Sequence, residues 1–172
     1  ASLSSMGLSM DYAIKESQIV YNQVIQSDDE LGILSVTRPE NVSGGRETSG
    51  YLWMNRPIIK TKLSLSVNGS LRFSKNPAFV NGVENETKSN GGNVSMTLSA
   101  TPTPKLIFSL TGDLNLTNIS YSIQESQNQK IRNTGIDGNL KYQFAKKMFL
   151  ETNLDYNIFR NDRFDFKQDI PI

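Results

Sequence analysis

The sequence has neither cysteine nor histidine. Without cysteine there is no disulfide framework and no thiolate metal site. Without histidine the commonest general base and metal ligand is missing. An excess of one charge is lacking too: 18 Lys and Arg against 17 Asp and Glu leave a net charge of +1. That balance argues against a nucleic-acid-binding arm or an acidic tail. Unbroken apolar runs stop at the four residues Tyr51-Leu52-Trp53-Met54, so no helix of this chain crosses a bilayer. Apolar residues make up only 37% of the chain, and the mean hydropathy is −0.41. What the chain does have is 48 Ser, Thr and Asn among 172 residues. These side chains compete with the helix backbone for hydrogen bonds. An all-β chain remains, and the placement of its polar residues decides what kind.

That placement alternates. In 57–74 the residues Ile59, Leu63, Leu65, Val67, Leu71 and Phe73 fall on one parity, and Lys60, Lys62, Ser64, Ser66, Asn68, Ser70 and Arg72 on the other. Successive side chains of a strand point to opposite faces, so one face is apolar and one polar. The pattern returns with Val94, Met96 and Leu98 against Ser95, Thr97 and Ser99. It returns again with Leu106, Phe108, Leu110, Leu114 and Leu116 against Ser109, Thr111, Asp113 and Asn115. Further along, Ile136, Leu140 and Tyr142 oppose Asp137, Asn139 and Lys141, and Leu150 and Leu154 oppose Glu151, Asn153 and Asp155. Near the start, Met6, Leu8, Met10, Tyr12 and Ile14 oppose Ser9, Asp11 and Lys15. The reading gives seven strands, at about 5–25, 41–54, 57–74, 93–101, 105–121, 132–145 and 148–165, with a bulge at Gly44-Gly45. Short turns are expected at Asn55–Pro57, Thr101–Lys105 and Ala145–Lys147, and long polar links at about 26–40, 75–92 and 121–134. Long and short links take turns, as in an up-and-down meander with all short turns on one rim.

A soluble β-sandwich and a membrane barrel both alternate, and they differ in what the apolar face meets. Segments of about ten alternating residues, short turns on one rim, long loops on the other and aromatic girdles are the marks of a transmembrane barrel. Candidate girdle residues are Tyr51, Trp53, Tyr142 and Phe144 near the short turns, and Tyr21, Phe73, Tyr121 and Tyr156 near the long links. Phe149 and Phe159 fall on the other parity. The expected fold is an antiparallel up-and-down transmembrane β-barrel in the bacterial outer membrane. Leu63, Leu65, Val67, Leu71, Met96, Leu98, Phe108, Leu110, Leu140, Tyr142, Leu150 and Leu154 would face lipid. Lys62, Ser66, Asn68, Ser95, Thr97, Thr111, Asp113, Asn139, Lys141, Glu151 and Asn153 would face the lumen. Single-chain barrels use even strand numbers from about eight, so seven strands are expected to be a partial barrel completed by strands of the same protein or of another chain. The start shows no signal-peptide pattern, and the end, Asp169-Ile170-Pro171-Ile172, no terminal aromatic strand. The competing fold is a soluble extracellular β-sandwich adhesin.

Three stretches carry a family likeness: Ala78-Phe79-Val80-Asn81-Gly82-Val83-Glu84-Asn85 after the long strand, Thr101-Pro102-Thr103-Pro104-Lys105-Leu106 as a periplasmic turn and re-entry, and Phe166-Lys167-Gln168-Asp169-Ile170-Pro171 leading into a further strand. With them the chain, from about residue 30 on, resembles the C-terminal part of the barrel of TonB-dependent-receptor-like outer-membrane proteins of Gram-negative bacteria. The resemblance implies a plug domain inside the barrel, contact with TonB and energised import of a bulky ligand. Its motifs are strand-and-turn patterns, so it assigns no functional residue. Non-transporting scaffolds, accessory barrels or barrel-assembly substrates are the alternative within the same membrane.

Other motifs point to ordinary chemistry. Six Asn-x-Ser/Thr sequons, at Asn41, Asn68, Asn85, Asn93, Asn115 and Asn118, are what a chain so rich in these residues makes by chance. Asp28-Asp29-Glu30 lacks the spaced ligands of a Ca²⁺ loop and reads as a solvated acidic loop. Gly44-Gly45-Arg46 is too short for a phosphate loop, and no Gly-x-Ser-x-Gly elbow exists. Asp137, Glu151 and Asp155 read as lumenal charges rather than a hydrolytic carboxylate pair. Neither an enzyme nor a cofactor is expected. Arg56, Lys105, Lys146 and Lys147 fall in the short turns, where they either touch anionic headgroups or block edge pairing. In register, Leu98 is expected beside Phe108, Met96 beside Leu110 and Val94 beside Gly112, leaving a dent at the glycine. Across Ala145–Lys147 two registers compete. One pairs Lys141 with Glu151 but sets Asp137 against Asp155, and the other puts Gly138 beside Tyr156.

Overall fold

A computed structural model of the chain describes residues 4–28, 32–123, 125–164 and 166–171. These form ten strands: β1 (Ser5–Lys15), β2 (Gln18–Asp28), β3 (Gly32–Val42), β4 (Gly45–Ile59), β5 (Leu63–Val80), β6 (Val83–Thr103), β7 (Leu106–Tyr121), β8 (Gln129–Ala145), β9 (Met148–Asn161) and β10 (Phe166–Pro171). One sheet holds eight of them in the order β1-β4-β5-β6-β7-β8-β9-β10, and β2 and β3 pair separately. Every pairing is antiparallel. The all-β, up-and-down expectation therefore holds. The sheet does not close: β1 and β10 are its two edges.

The strand count of seven is corrected. The stretch 5–25 divides at Glu16-Ser17 into β1 and β2, residues 26–28 continue β2 and 32–40 supply most of β3, and 166–171, expected only to lead into a further strand, are themselves β10. β1–β4 and β2–β3 thus form one long hairpin, interrupted where Gly44 takes a left-handed φ of 91°. The break at Gly44-Gly45 is the expected irregularity. Of Asp28-Asp29-Glu30, Asp29 and Glu30 lie outside the described residues.

Residues 75–92 are not a loop either. β5 and β6 run on to a two-residue turn at Asn81-Gly82, both with positive φ (50° and 79°), and Val80 pairs with Val83. Paired left-handed residues match the twist of a tight hairpin, and Asn-Gly suits them best. The short turns are also displaced. β4 passes through Arg56 and Pro57 and turns at Lys60–Lys62, and β6 passes through Thr103 and turns at Pro104-Lys105. A register irregularity falls beside a proline in both places, between Pro57 and Ile59 and between Ala100 and Thr103. Proline has no N–H for the ladder, and bulges accommodate it. Lys146-Lys147 forms the third short turn.

The sheet is one layer thick. Among the described residues Val42 and Pro77 are buried apolar side chains, and no side chain of any size is fully enclosed. Leu71, Leu110, Leu116, Leu150 and Leu154 stay between 39% and 59% exposed. No second sheet covers the apolar face, so the interlocked core of a sandwich is not formed by the described residues.

Candidate functional site

The chemistry of this molecule is spread over two faces. Directly opposed residues share a face, so the register assigns each side chain. Across β4, β5, β6, β7, β8 and β9 one row runs Arg56, Leu65, Leu98, Leu110, Gly138, Leu154. The next runs Met54, Val67, Met96, Gly112, Ile136, Tyr156. The row above runs Leu52, Gly69, Val94, Leu114, Thr134, Ile158. Leu63 and Phe108 are each aligned with Ala100, Leu140 with Phe108, and Tyr142 with both Leu106 and Leu150. All twelve residues expected to face lipid therefore lie on this one face, together with Met6, Leu8 and Met10 of β1. From Leu63 to Phe73 the alternating stretch of β5 is eleven residues.

The expected pairs across the β6–β7 turn are corrected by two residues. Leu98 stands beside Leu110, Met96 beside Gly112 and Val94 beside Leu114. The dent remains, since a Cβ on Gly112 would meet no atom within 4 Å. Arg56 is corrected as well: it lies within β4 opposite Leu65, on the apolar face near the short-turn rim.

The other face is hydroxyl, amide and charge. One row runs Asn55, Ser66, Thr97, Thr111, Asp137, Asp155, and the next Trp53, Asn68, Ser95, Asp113, Gly135, Asn157. Thr97 and Thr111 share a hydroxyl–hydroxyl bond of 3.0 Å. Asn139 donates to Asn153 at 2.5 Å, and the Ser70 hydroxyl donates to Asn93 at 2.6 Å. Lys141 meets Glu151 at 3.6 Å, with its ammonium 4.5 Å above the Phe149 ring. Of the two registers considered, the structure takes the one that opposes Asp137 to Asp155. Ser66, Asn68, Ser95, Thr97, Thr111, Asp113, Asn139, Lys141, Glu151 and Asn153, the residues expected to face a lumen, share this one face. Lys62 does not, because it lies in the β4–β5 turn and on no strand.

The aromatic girdle is thinner than expected. Tyr142, Tyr156 and Phe73 are on the apolar face. Tyr51 and Trp53 are on the polar face, where the Tyr51 hydroxyl donates to Asn68 at 3.1 Å. The Trp53 indole lies over Gly7, in the space a Cβ there would need. Tyr121 pairs with Thr87 on the polar parity, and Tyr21 belongs to the separate β2–β3 hairpin. Phe149 and Phe159 keep their polar-face positions.

Sequence reasoning missed how the long-hairpin rim is held. Asn22, 6% exposed, donates to Glu40 at 2.6 Å and accepts the Gly82 amide at 3.1 Å. That fastens β2–β3 to the β5–β6 tip, with β2 packed along upper β5. Asn85, 2% exposed, accepts from the Ser122 hydroxyl and the Ile123 amide, both at 3.2 Å. Ser122 also accepts the Glu86 amide at 2.8 Å. On the polar face Glu47 bridges Arg72 at 2.9 Å and Lys15 at 3.7 Å. Among the described residues no cluster of acidic side chains is placed to hold a metal ion. No known protein family matches the sequence, and no curated protein matches it significantly.

Proposed function

We propose that this chain is a transmembrane segment of an outer-membrane β-barrel, with its Leu- and Met-rich face in lipid and its Ser-, Thr- and Asn-rich face on a wet lumen. The observation that carries the reading is an eight-stranded single layer whose apolar face runs across β1 and β4 to β9 and, among the described residues, lies under no second layer. Exposed in water, an apolar patch of this extent would aggregate. In lipid it is the required surface, and the antiparallel ladder satisfies the backbone groups that lipid leaves without partners. The two edges, β1 and β10, still present unpaired N–H and C=O groups, so the barrel is completed by further strands of the same protein or of another chain.

Within that class the reading is a TonB-dependent-receptor-like transporter for a bulky ligand, whose partners would be outer-membrane lipid, a plug domain and TonB. The tall hairpins of one rim support it, since such hairpins cap a wide lumen on the outer side. The two open edges favour the second reading, a scaffold or assembly partner that joins another barrel edge to edge. Membrane extraction tests the class: the protein should resist a high-salt wash and leave the membrane only in detergent. Release by salt alone contradicts it. Cross-linking of the full-length barrel to TonB tests the transporter reading, and cross-linking of β1 or β10 to another barrel favours the second.

A further inference from the structure

Where the apolar face meets the long-hairpin rim, its residues change from leucine to lysine and arginine. Arg132 of β8 and Arg160 of β9 stand directly opposite each other there. Both are exposed. Like charges in directly opposed positions destabilise a strand pair. Among the described residues, no carboxylate comes within ion-pair distance of either guanidinium. Lys130 is one step further out on the same face, opposite Asn118.

These three cations border an open cavity of about 640 Å³. Its floor is apolar, with Leu71, Val94 and Leu116 among its residues, and Asp162 lines the wall beside the cations. One carboxylate against three cations leaves the wall net positive. Gly92 shapes the floor, because the Leu71 Cδ2 atom lies 2.7 Å from where its Cβ would stand. Register fixes the polarity of the site: Leu116 pairs with Arg132, Leu114 pairs with Thr134, and the apolar floor continues from there toward the short-turn rim.

We propose that this cavity binds an anionic membrane lipid, with the phosphate held by Arg132, Arg160 and Lys130 and an acyl chain lying on the leucine and valine floor. The inference rests on the membrane reading given above. Arginine grips phosphate oxygens through paired charge-assisted bonds. An anion placed between Arg132 and Arg160 turns a repulsive pair into two attractive contacts. The floor supplies the apolar contact that inorganic phosphate cannot use, which marks a lipid rather than a free anion as the occupant.

The test uses the full chain purified in detergent and native mass spectrometry with phosphatidic acid and phosphatidylcholine of matched acyl chains. The wild type should retain phosphatidic acid roughly tenfold better than phosphatidylcholine, the scale of one or two charge-assisted hydrogen bonds. Inorganic phosphate at equal concentration should not displace it. R160E should abolish the preference while improving strand pairing, because it sets a carboxylate opposite Arg132. Lost binding in that variant therefore cannot be ascribed to unfolding. Equal retention of the two lipids, displacement by inorganic phosphate, or an undiminished preference in R160E overturns the proposal and leaves the membrane reading standing. A chain that enters neither detergent micelles nor vesicles overturns both.

Discussion

The side-chain oxygen of Asn22 accepts the backbone N–H of Gly82 at 3.1 Å, across sixty residues of sequence. Its amide donates to Glu40 at 2.6 Å, so one buried side chain ties β2, β3 and the β5–β6 turn together at the long-hairpin rim. Asn22→Ala leaves Gly82 without its acceptor and Glu40 without its donor. The expected cost is about 1–3 kcal/mol of local stability, confined to the hairpin tips. Hydrogen exchange at Gly82 should accelerate while amides in the middle of β6 and β7 do not change.

Asn85 holds the β7–β8 link in the same way, through Ser122 and Ile123. Asn85→Ala should free that link and expose it to proteolysis between about 122 and 128, with the strands left intact. Limited proteolysis of the protein in detergent reads this directly. An unchanged cleavage pattern would mean that other contacts hold the loop.

Glu86 stands between two lysines at the β5–β6 tip, above the apolar band. Lys75 and then Lys88, the latter at 3.1 Å, hold its carboxyl below the ordinary glutamate value. A carboxyl lowered on folding adds stability that is complete above its unfolded pKa and disappears as pH falls through its lower folded value. Protection of the tip amides should therefore fall with acidification through and below the usual glutamate range. Glu86→Gln should remove that dependence, and hydrogen exchange at several pH values checks it.

Lys141 and Glu151 are close to half exposed, and solvent screens such pairs. Their coupling in a double-mutant cycle should be about 0.2–1 kcal/mol and should weaken in high salt. The Phe149 ring under the ammonium supplies a second contact, so Phe149→Leu should reduce the coupling further.

The shared face of β5 to β9 was legible in the sequence, the facing of β4 was not, and register was legible only in part, for reasons specific to particular residues. Leu98, Leu110 and Leu140 announce their face because every second neighbour is polar, a contrast that requires different surroundings on the two sides of the sheet. Beyond Ser74 and before Asn90 the contrast fades, because polar residues fall on both parities there. Asn81-Gly82, a short hairpin turn with both residues at positive φ, sits inside what the local pattern presents as a loop. The hairpin at 18–42 was hidden in the same way. Between β6 and β7 the register differs by two residues because Thr101-Pro102-Thr103 belongs to β6 although its proline suggests a turn. The strand absorbs that proline at an irregularity and turns only at Pro104-Lys105. Tyr51 and Trp53 show their polar facing only once β4 is aligned with β5, an alignment that local pattern does not supply. The rim contacts of Asn22 and Asn85 join residues far apart in sequence, and no spacing announces them.

The central claim assigns lipid to one face and water to the other. A charge on the apolar face should cost far more than the same charge one residue away. Leu110→Arg should lose about 2–4 kcal/mol of folding stability in vesicles, and Thr111→Arg far less. The most direct measurement is a nitroxide scan along β7 in the membrane-reconstituted full-length barrel, helped by the absence of native cysteine. Labels at 110, 112, 114 and 116 should be quenched by oxygen dissolved in the lipid. Labels at 109, 111, 113 and 115 should respond to a water-soluble relaxation agent instead. Equal access of the water-soluble agent to both sets would contradict the assignment.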